Sequence, residues 1–206
     1  MDLEEKNLEK EIDEELQKEE KMSIWKQIGL FVYETVRLII IVFLVVLIIR
    51  TFIVQPFFVV GDSMKPNLIN GDYLLVDEIS YRFGQPGRGD IIVFKFPYNP
   101  AENYIKRIVG LPGERIEING EKITIFNSKH PEGFALSEKY LPEGTTTTGN
   151  INTTLGADEY FVLGDNRRAS SDSRSWGILP KKNIIGRTFT IIFPWSHFKM
   201  VASPKY

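Results

Sequence analysis

Residues 38–49 read Leu-Ile-Ile-Ile-Val-Phe-Leu-Val-Val-Leu-Ile-Ile, twelve apolar residues without interruption. Beyond Arg50, residues 51–54 extend the run to seventeen positions. Seventeen helical residues span about 25 Å, slightly less than the hydrocarbon core of a bilayer at about 30 Å. Arg37 and Arg50 can reach the two interfaces and close the difference. The run therefore predicts a single N-terminal transmembrane anchor, which we assign to residues 37–56.

Two other structures fit an apolar run of this kind. A helix in the core of a soluble domain is one, but Ile, Val and Leu occupy every face of this segment, which is unusual for so small a domain. A cleavable signal peptide is the other. The preceding tail is acidic, and the first alanine of the chain is Ala101. The sequence after the apolar run therefore lacks the alanines typical of a small-x-small cleavage site. An uncleaved anchor remains the prediction.

Composition limits what the rest of the chain can be. With 206 residues, 43% of them hydrophobic, the chain can form one anchor and one domain of about 150 residues. It contains no cysteine, which excludes disulfides, thiolate catalysis and Cys-ligated metals. His130 and His197 are its only two histidines. The sequence contains no stripe of basic residues of the kind that binds nucleic acid.

Charge is distributed unevenly along the chain. Residues 1–21 hold ten acids and four lysines, so the net charge of -2 conceals a basic remainder. Residues 1–36 are therefore predicted to form an acidic cytoplasmic tail and pre-anchor segment, a solvated or fraying helix unless it binds a partner. Four positive charges lie on the N-terminal side of the apolar run 38–49, and two lie beyond it (Lys18, Lys21, Lys26 and Arg37; Arg50 and Lys65). This small excess favours a cytoplasmic N-terminus.

After Gly71 the sequence becomes typical of a mostly β domain, which we assign to residues 57–206. Short β-branched and aromatic segments alternate with Gly, Pro, Asn and Asp, and predict strands at 73–76, 90–94, 104–109, 115–118, 122–125, 160–163 and 184–193. Asn119-Gly120 predicts a type I′ hairpin turn between two of them. Residues 127–155 show little periodicity and predict a loop-rich insertion.

A serine lies where the anchor is followed by the β domain, in the segment Gly61-Asp62-Ser63-Met64-Lys65-Pro66. A serine hydroxyl is a weak nucleophile and needs a base, either a histidine or a neutral amine. Lysine can serve only if burial lowers its pKa from about 10.4 toward about 7. Lys106 is a candidate because its predicted strand places it on one face with Tyr104 and Ile108. A solvent-facing lysine on an edge strand is the alternative.

Three segments together resemble the signature boxes of bacterial type I signal peptidases, also called leader peptidases. In chain order they are Ser63-Met64-Lys65-Pro66, Lys106-Arg107-Ile108-Val109-Gly110-Leu111-Pro112-Gly113-Glu114, and Gly164-Asp165-Asn166-Arg167-Arg168-Ala169-Ser170-Ser171-Asp172-Ser173-Arg174. The resemblance covers about residues 37–193. It implies a signal peptidase fold on the outer face of the plasma membrane. It also implies a single-pass, membrane-anchored serine endopeptidase that removes signal peptides from exported preproteins after a small-x-small motif such as Ala-x-Ala.

The resemblance also implies roles for individual residues. Ser63 would be the nucleophile and Lys106 the general base, with the Ser170 hydroxyl hydrogen-bonded to the lysine and orienting it. Two ion pairs, Asp172 with Arg174 and Asp165 with Arg167, would support the site without touching substrate. The residues that resemble substrate-pocket positions are Val59, Met64, Leu68, Tyr104 and Ile105, with Phe57 as a further candidate. Ordinary core packing is the alternative for each of these.

The sequence departs from the family pattern near the nucleophile. The backbone N–H of Ser63 would be one oxyanion donor, and some members add a serine hydroxyl two residues earlier. Gly61 stands there, so the source of a second donor is open. Asp62 and Asn67 also differ from the glycine and threonine found in other members.

The expected partners are signal peptides of preproteins and the lipid bilayer, which exposed aromatic residues such as Trp195 and Phe198 would contact unless they are buried. The implied mechanism needs no metal or organic cofactor, and the oligomeric state is open. Other interpretations are a self-cleaving SOS-type repressor, although no DNA-binding region occurs, and a catalytically silent membrane-anchored homologue. A Ser/His/Asp hydrolase would have to use His130 or His197, and neither lies in a recognisable motif.

Overall fold

The computed structural model describes residues 3–52 and 54–204, and the chain divides into two compact units, one up to Ile49 and one from Arg50. The first unit lies within helix α1, which extends over Leu3–Phe52 and so ends inside the second unit. Within it, Ser23–Leu47 is long and apolar enough to cross a membrane, since 25 helical residues span about 37 Å. Every side chain of this stretch is exposed, which argues against a helix buried in a soluble core.

The apolar helical stretch begins earlier than the predicted anchor, and helix α1 ends at Phe52, four residues before the predicted end of the anchor. Residues 54–56, which the predicted anchor of residues 37–56 includes, lie in the first strand. Pro56 explains this difference, because a proline in a helix interior lacks the N–H donor and clashes with the preceding turn. The predicted tail of residues 1–36 is helical wherever the structure describes it. The domain boundaries themselves stay a prediction.

The second unit is built mainly of β-strands, as predicted. The described residues form twelve: β1 Val54–Phe58, β2 Tyr73–Asp77, β3 Ile91–Phe96, β4 Asn99–Gly110, β5 Arg115–Gly120, β6 Lys122–Asn127, β7 His130–Ala135, β8 Gly149–Thr154, β9 Glu159–Leu163, β10 Leu179–Pro180, β11 Ile184–Phe193 and β12 Lys199–Met200. Two short helices accompany them, α2 (Ser80–Phe83) and α3 (Ser173–Trp176). The larger sheet has the order β1-β2-β11-β3-β4-β9-β10, with β12 paired to β11. The smaller sheet has the order β7-β6-β5-β8.

All seven predicted strands occur, but the insertion at residues 127–155 is not simply a loop, because it contains β7 and β8. The hairpin at residues 115–127 also differs in its turn. Asn119 pairs with Lys122, so Gly120 and Glu121 form the turn. Gly120 has φ of +61°, and no described non-glycine residue has a positive φ. A type I′ turn needs positive φ at both central residues, so the prediction was wrong and a type II′ turn with glycine first fits instead.

Apolar side chains pack between and around the two sheets. Val109 and Leu163 of the larger sheet share a buried cluster with Ile116 and Ile125 of the smaller one. Val59, Met64 and Leu68, which follow β1, pack in another cluster with Leu74 and Val93. The segment that carries Ser63 is therefore attached to the core on either side of that residue.

Candidate active site

Ser63 lies on the segment that joins β1 to β2, and backbone hydrogen bonds close this segment at its base. Val59 N donates to Asp72 O at 2.9 Å, and Gly71 N donates to Val59 O at 3.0 Å. Nearer its tip, Gly61 N donates to Asn70 Oδ1 at 2.9 Å. Gly61 has φ of +93°, a backbone conformation that glycine adopts at no steric cost. These contacts hold the half-buried Ser63 in one position.

Lys106 reaches Ser63 from β4. Lys106 pairs with Ile92 of β3, and it is only 4% exposed. Lys106 Nζ donates to Ser63 Oγ at 2.9 Å and to the carbonyl oxygen of Ile105 at 2.8 Å. A neutral amine in this position can keep its bond to Ile105 and turn its lone pair to the serine hydroxyl. The edge-strand alternative for Lys106 is therefore wrong.

Burial lowers the pKa of Lys106 to about 8, because the ammonium loses its hydration in this site. The carboxylates of Asp172 and Asp165 act in the opposite direction and limit the shift. A lysine with this pKa is partly neutral near neutral pH. The arrangement can therefore activate a serine hydroxyl by general base catalysis without a histidine.

The predicted ion pair between Asp172 and Arg174 is present. Asp172 is fully buried, and its carboxylate accepts from Arg174 Nε at 2.8 Å and from Arg174 Nη2 at 2.8 Å. It also accepts from the backbone N–H of Gly164 at 3.1 Å and from that of Arg174 at 3.2 Å at the start of α3. Asp172 thus joins both ends of the segment 164–174.

Ser170 does not form the hydrogen bond to Lys106 that the resemblance implies. Its Oγ is buried and has no hydrogen-bond partner within the described part of the chain. It nevertheless lies beside the nucleophile segment. A Cβ added to Gly164 would stand 2.6 Å from the carbonyl oxygen of Ser63 and closer still to Ser170 Oγ. An orienting role for Ser170 stays a prediction.

The predicted pairing of Asp165 with Arg167 is wrong. Asp165 is paired with Arg107, whose Nε and Nη2 donate to its carboxylate at 2.8 and 2.6 Å. Arg167 is paired with Glu138 and donates to Oε2 at 2.7 Å. Strand β4 brings Arg107 to Asp165 from 58 positions away in the sequence, so adjacency along the chain was misleading.

Two asparagines for which no structural role was predicted also hold the site together. Asn67 Nδ2 donates to Asp165 Oδ2 at 2.8 Å. Asn166 binds the nucleophile segment twice, through its backbone N–H to Ser63 O at 3.0 Å and through Nδ2 to Asp62 O at 3.1 Å. The position of Asn166 inside the third signature box was the signal that could have identified it.

The N–H groups near Ser63 differ in availability. No described residue accepts a hydrogen bond from the backbone N–H of Ser63. The N–H of Gly61 is already bonded to Asn70, so it does not supply a second oxyanion donor in this arrangement. The backbone N–H of Ser63 is therefore available as an oxyanion donor, whereas that of Gly61 is not.

A groove of about 520 Å³ is lined by Ser63 and Lys106. Its two long walls are residues 57–63 and 102–106. Strand β1 is at the edge of the larger sheet, and β9 pairs with β4 only from Arg107 onward, so both walls have unpaired strand edges. Among the predicted pocket residues, Val59, Tyr104 and Ile105 line this groove, together with Phe57.

Met64 and Leu68 do not line the groove. Both are buried in the core cluster that fixes the Ser63 segment, each with 1% exposure. Their apolar character and their position in the motif reflect packing beneath the nucleophile, which sequence alone does not distinguish from a pocket wall.

Neither histidine contacts Ser63. His130 Nδ1 lies 3.4 Å from Glu132, and His197 Nδ1 lies 3.2 Å from Asp72. The Ser/His/Asp interpretation therefore has no geometric support.

Within residues 3–52 and 54–204, no three His, Asp or Glu side chains form a group that could hold a metal ion.

Comparison with known proteins identifies the family. A family model described as signal peptidase, peptidase S26, matches residues 32–195. The chain belongs to this family. The signal peptidase I of Pseudomonas aeruginosa is 32% identical, with 80% of this chain and 74% of the relative aligned. The probable signal peptidase I-1 of a Synechocystis species is 35% identical, with 84% and 88% aligned.

Among solved structures, a crystal structure of a signal peptidase I from Enterococcus faecalis is 32% identical, with a TM-score of 0.42. The match covers 50% of this chain and 97% of that one. Membership in the signal peptidase family confirms the predicted enzyme class, a serine endopeptidase.

Proposed function

We propose that this signal peptidase family member is membrane-anchored and removes N-terminal signal peptides by cutting after a small-x-small motif. The family supports signal-peptide removal as the reaction. The observation that carries the proposal is the buried Lys106 amine, hydrogen-bonded to Ser63 in an apolar groove with two open strand edges.

The proposed mechanism uses Ser63 and Lys106 in turn. Neutral Lys106 accepts the proton of Ser63 Oγ as the oxygen attacks the substrate carbonyl, and the Ser63 N–H stabilises the oxyanion. The Lys106 ammonium then gives this proton to the leaving amine, which departs as the N-terminus of the mature protein. A water molecule, deprotonated by the same amine, cleaves the acyl-enzyme and restores Ser63.

The groove supports recognition of an extended peptide. Its unpaired strand edges can hydrogen-bond to a substrate backbone on both sides, and alternate side chains of an extended chain then point to the same face. The walls near the dyad are apolar, since they include Val59, Leu74, Val93 and Ile105. Shallow apolar sites at alternate positions favour small residues one and three places before the cut.

Membrane anchoring is supported by the exposed apolar stretch Ser23–Leu47. Lys18 and Lys21 precede this stretch and Lys26 lies near its start, which favours a cytoplasmic N-terminus and a β domain on the outer face of the plasma membrane. Signal peptides of exported proteins reach that face, so the topology agrees with the proposed substrate.

An apolar surface next to the groove supports a second contact with the bilayer. Aromatic rings form a row across β1, β2 and β11, with centroids 4.9 Å apart for Phe58 and Tyr73 and 6.0 Å apart for Tyr73 and Phe193. We define the apolar patch by its exposed members, Phe58, Val60, Tyr73, Phe193, Trp195 and Phe198. Phe58 and Val60 also line the groove, so the patch would keep the active site close to a membrane-embedded substrate.

The proposal is tested by cleavage of a preprotein with an Ala-x-Ala signal by the detergent-solubilised full chain. We expect cleavage after the second alanine, lost in Ser63→Ala and Lys106→Ala variants that retain the wild-type circular dichroism. Binding without cleavage by the wild type would favour a silent homologue. Cleavage that survives Lys106→Ala would exclude the proposed base.

A further inference from the structure

A second cleft, of about 400 Å³, begins on the other side of the nucleophile segment. Two stretches of chain connect it to the substrate groove. Residues 57–63 line the groove and Lys65 and Pro66 line the second cleft. Likewise, Ala169 and Ser171 line the groove, whereas residues 165–168 line the second cleft. The linings of the two cavities are therefore neighbours along the chain, at residues 63–65 and at residues 168–169.

The chemistry of the groove determines which part of a substrate each cavity receives. Its apolar walls and strand edges suit the end of a signal peptide, which is the acyl side of the cut bond. The polypeptide on the amine side must then leave Ser63 in the other direction. The second cleft lies there, and an extended chain of four residues would cover about 13 Å along it.

The second cleft has an unusual distribution of charge. Asp165 and Arg167 line it, but both are buried and already paired, with Arg107 and Glu138. Arg168 is exposed, and no ion pair or side-chain hydrogen bond involves it in the described part of the chain. Its guanidinium is therefore available to a ligand in the cleft.

Two further charged residues line the same cleft. Lys65 forms an exposed pair with Asp62 at 3.0 Å, which neutralises it in part. Glu143, on the opposite wall formed by residues 142–146, is exposed and opposes the cations. Cationic groups thus predominate on the wall next to Ser63, where Arg168 is the charge without a protein partner.

We infer that this cleft binds the first residues of the mature protein and that Arg168 makes the enzyme prefer acidic over basic side chains there. The inference rests on the proposed function, because it concerns the leaving side of the same reaction. Arg168 acts on specificity and has no part in the chemical step. Each exposed charge contact of this kind changes affinity by a small factor, about threefold.

The test uses three peptides that share one Ala-x-Ala signal and alanine directly after the cut, and that carry three Asp, three Ser or three Lys residues at mature positions two to four. With the full-length enzyme in detergent, we expect kcat/KM to decrease in the order Asp, Ser, Lys. Because several charges are involved, the Asp and Lys peptides should differ about tenfold at low salt and much less at about 1 M NaCl.

Charge-reversal variants identify the responsible residue. Arg168→Glu should reverse the order of the Asp and Lys peptides, and a circular dichroism spectrum like that of the wild type would show that the variant is folded. Glu143→Gln should increase the preference for Asp. Lys182→Glu makes the same charge change at an exposed position outside the cleft and should keep the wild-type order.

Each other outcome has a definite meaning. Equal cleavage of the three peptides by the wild type, or an unchanged order in Arg168→Glu, would overturn the inference and leave the proposed function intact. A reversal in Lys182→Glu as well would assign the effect to net charge and exclude a specific role for Arg168. Failure of the wild type to cut any of the peptides would remove both proposals.

Discussion

At the scale of the residue, the reactivity of the site depends on the charge state of Lys106. Its amine is buried next to two carboxylates that favour the ammonium, yet loss of hydration outweighs them and lowers the pKa to about 8. Only the neutral amine can accept the Ser63 proton. The fraction of active enzyme is therefore set by one group whose pKa depends on how well the fold excludes water.

The pKa of Lys106 predicts the pH dependence of cleavage. Below about pH 8 the ammonium predominates, so kcat/KM should fall about tenfold for each pH unit, and above pH 8 it should level off. Peptide cleavage measured from pH 6 to pH 10 checks this. A limb near pH 6.5 that persisted in Lys106→Met would instead indicate a histidine.

Gly164 is predicted to be required because of its missing side chain. A Cβ there would press on the carbonyl oxygen of Ser63 at 2.6 Å and on the Ser170 side chain. Gly164→Ala should therefore displace the nucleophile, lower kcat at least about tenfold and cost about 1–3 kcal/mol of stability. Kinetics and thermal melting measure both effects.

Gly149→Ala is the matched control, since a Cβ at that position would make an ordinary 3.4 Å contact with Ile118. It should leave kcat unchanged. Full activity in Gly164→Ala would show that the Ser63 segment can shift without loss of geometry.

Residue identities were predicted better than their pairings. Ser63 contacts Lys106, and Asp172 contacts Arg174, the two pairings that the signature boxes imply. Asp165 and Arg167, two positions apart, instead bind Arg107 and Glu138, because their side chains meet different parts of the fold. A motif records which residues a site uses, but the partner of a buried charge depends on strand register.

At the scale of the element, the strands that sequence did not predict share a weak local signal. β1 contains Pro56 and follows directly on the apolar helix, and proline is tolerated there because β1 is an edge strand. β8 reads Gly-Asn-Ile-Asn-Thr-Thr and has few of the residues that favour strands. It forms because β5 provides a continuous pairing edge from Arg115 to Gly120.

The segment between β7 and β8, residues 136–148, is bound to the active-site motifs. Glu138 pairs with Arg167, and the Tyr140 hydroxyl donates to Glu138 at 2.7 Å. Asn67 donates to the carbonyl oxygen of Tyr140 at 3.3 Å, and the Arg107 guanidinium lies 4.2 Å from its ring centre. The insertion therefore braces both Asn67, near the nucleophile, and the third signature box.

Loss of the Glu138 charge is predicted to loosen this connection. Glu138→Gln leaves the buried Arg167 without its carboxylate, which should cost about 1–3 kcal/mol. Amide hydrogen exchange should accelerate in residues 136–148, and kcat/KM should fall. Glu121→Gln, the same change in the exposed hairpin turn, should alter neither quantity; if both variants behave alike, the brace is not specific.

At the scale of the whole molecule, apolar surface occurs in two separate places, along Ser23–Leu47 and in the apolar patch of the β domain. The first has the length of a membrane span. The second is too broad to be explained by scattered exposed residues, since its rings contact one another across three strands. The proposed membrane anchor would cover the first, and contact of the apolar patch with lipid would cover the second.

The apolar patch predicts that the β domain binds membranes without α1. A chain of residues 54–206 should float with phosphatidylglycerol and phosphatidylcholine vesicles. Trp195 is 78% exposed. Full burial of an aromatic side chain in an apolar phase is favourable by about 1.5–3 kcal/mol of transfer free energy. Trp195→Ser combined with Phe198→Ser should therefore weaken vesicle binding at least about tenfold. Phe83→Ser, on exposed α2 outside the patch, should not; equal losses in both would show that the patch has no preferred contact with lipid.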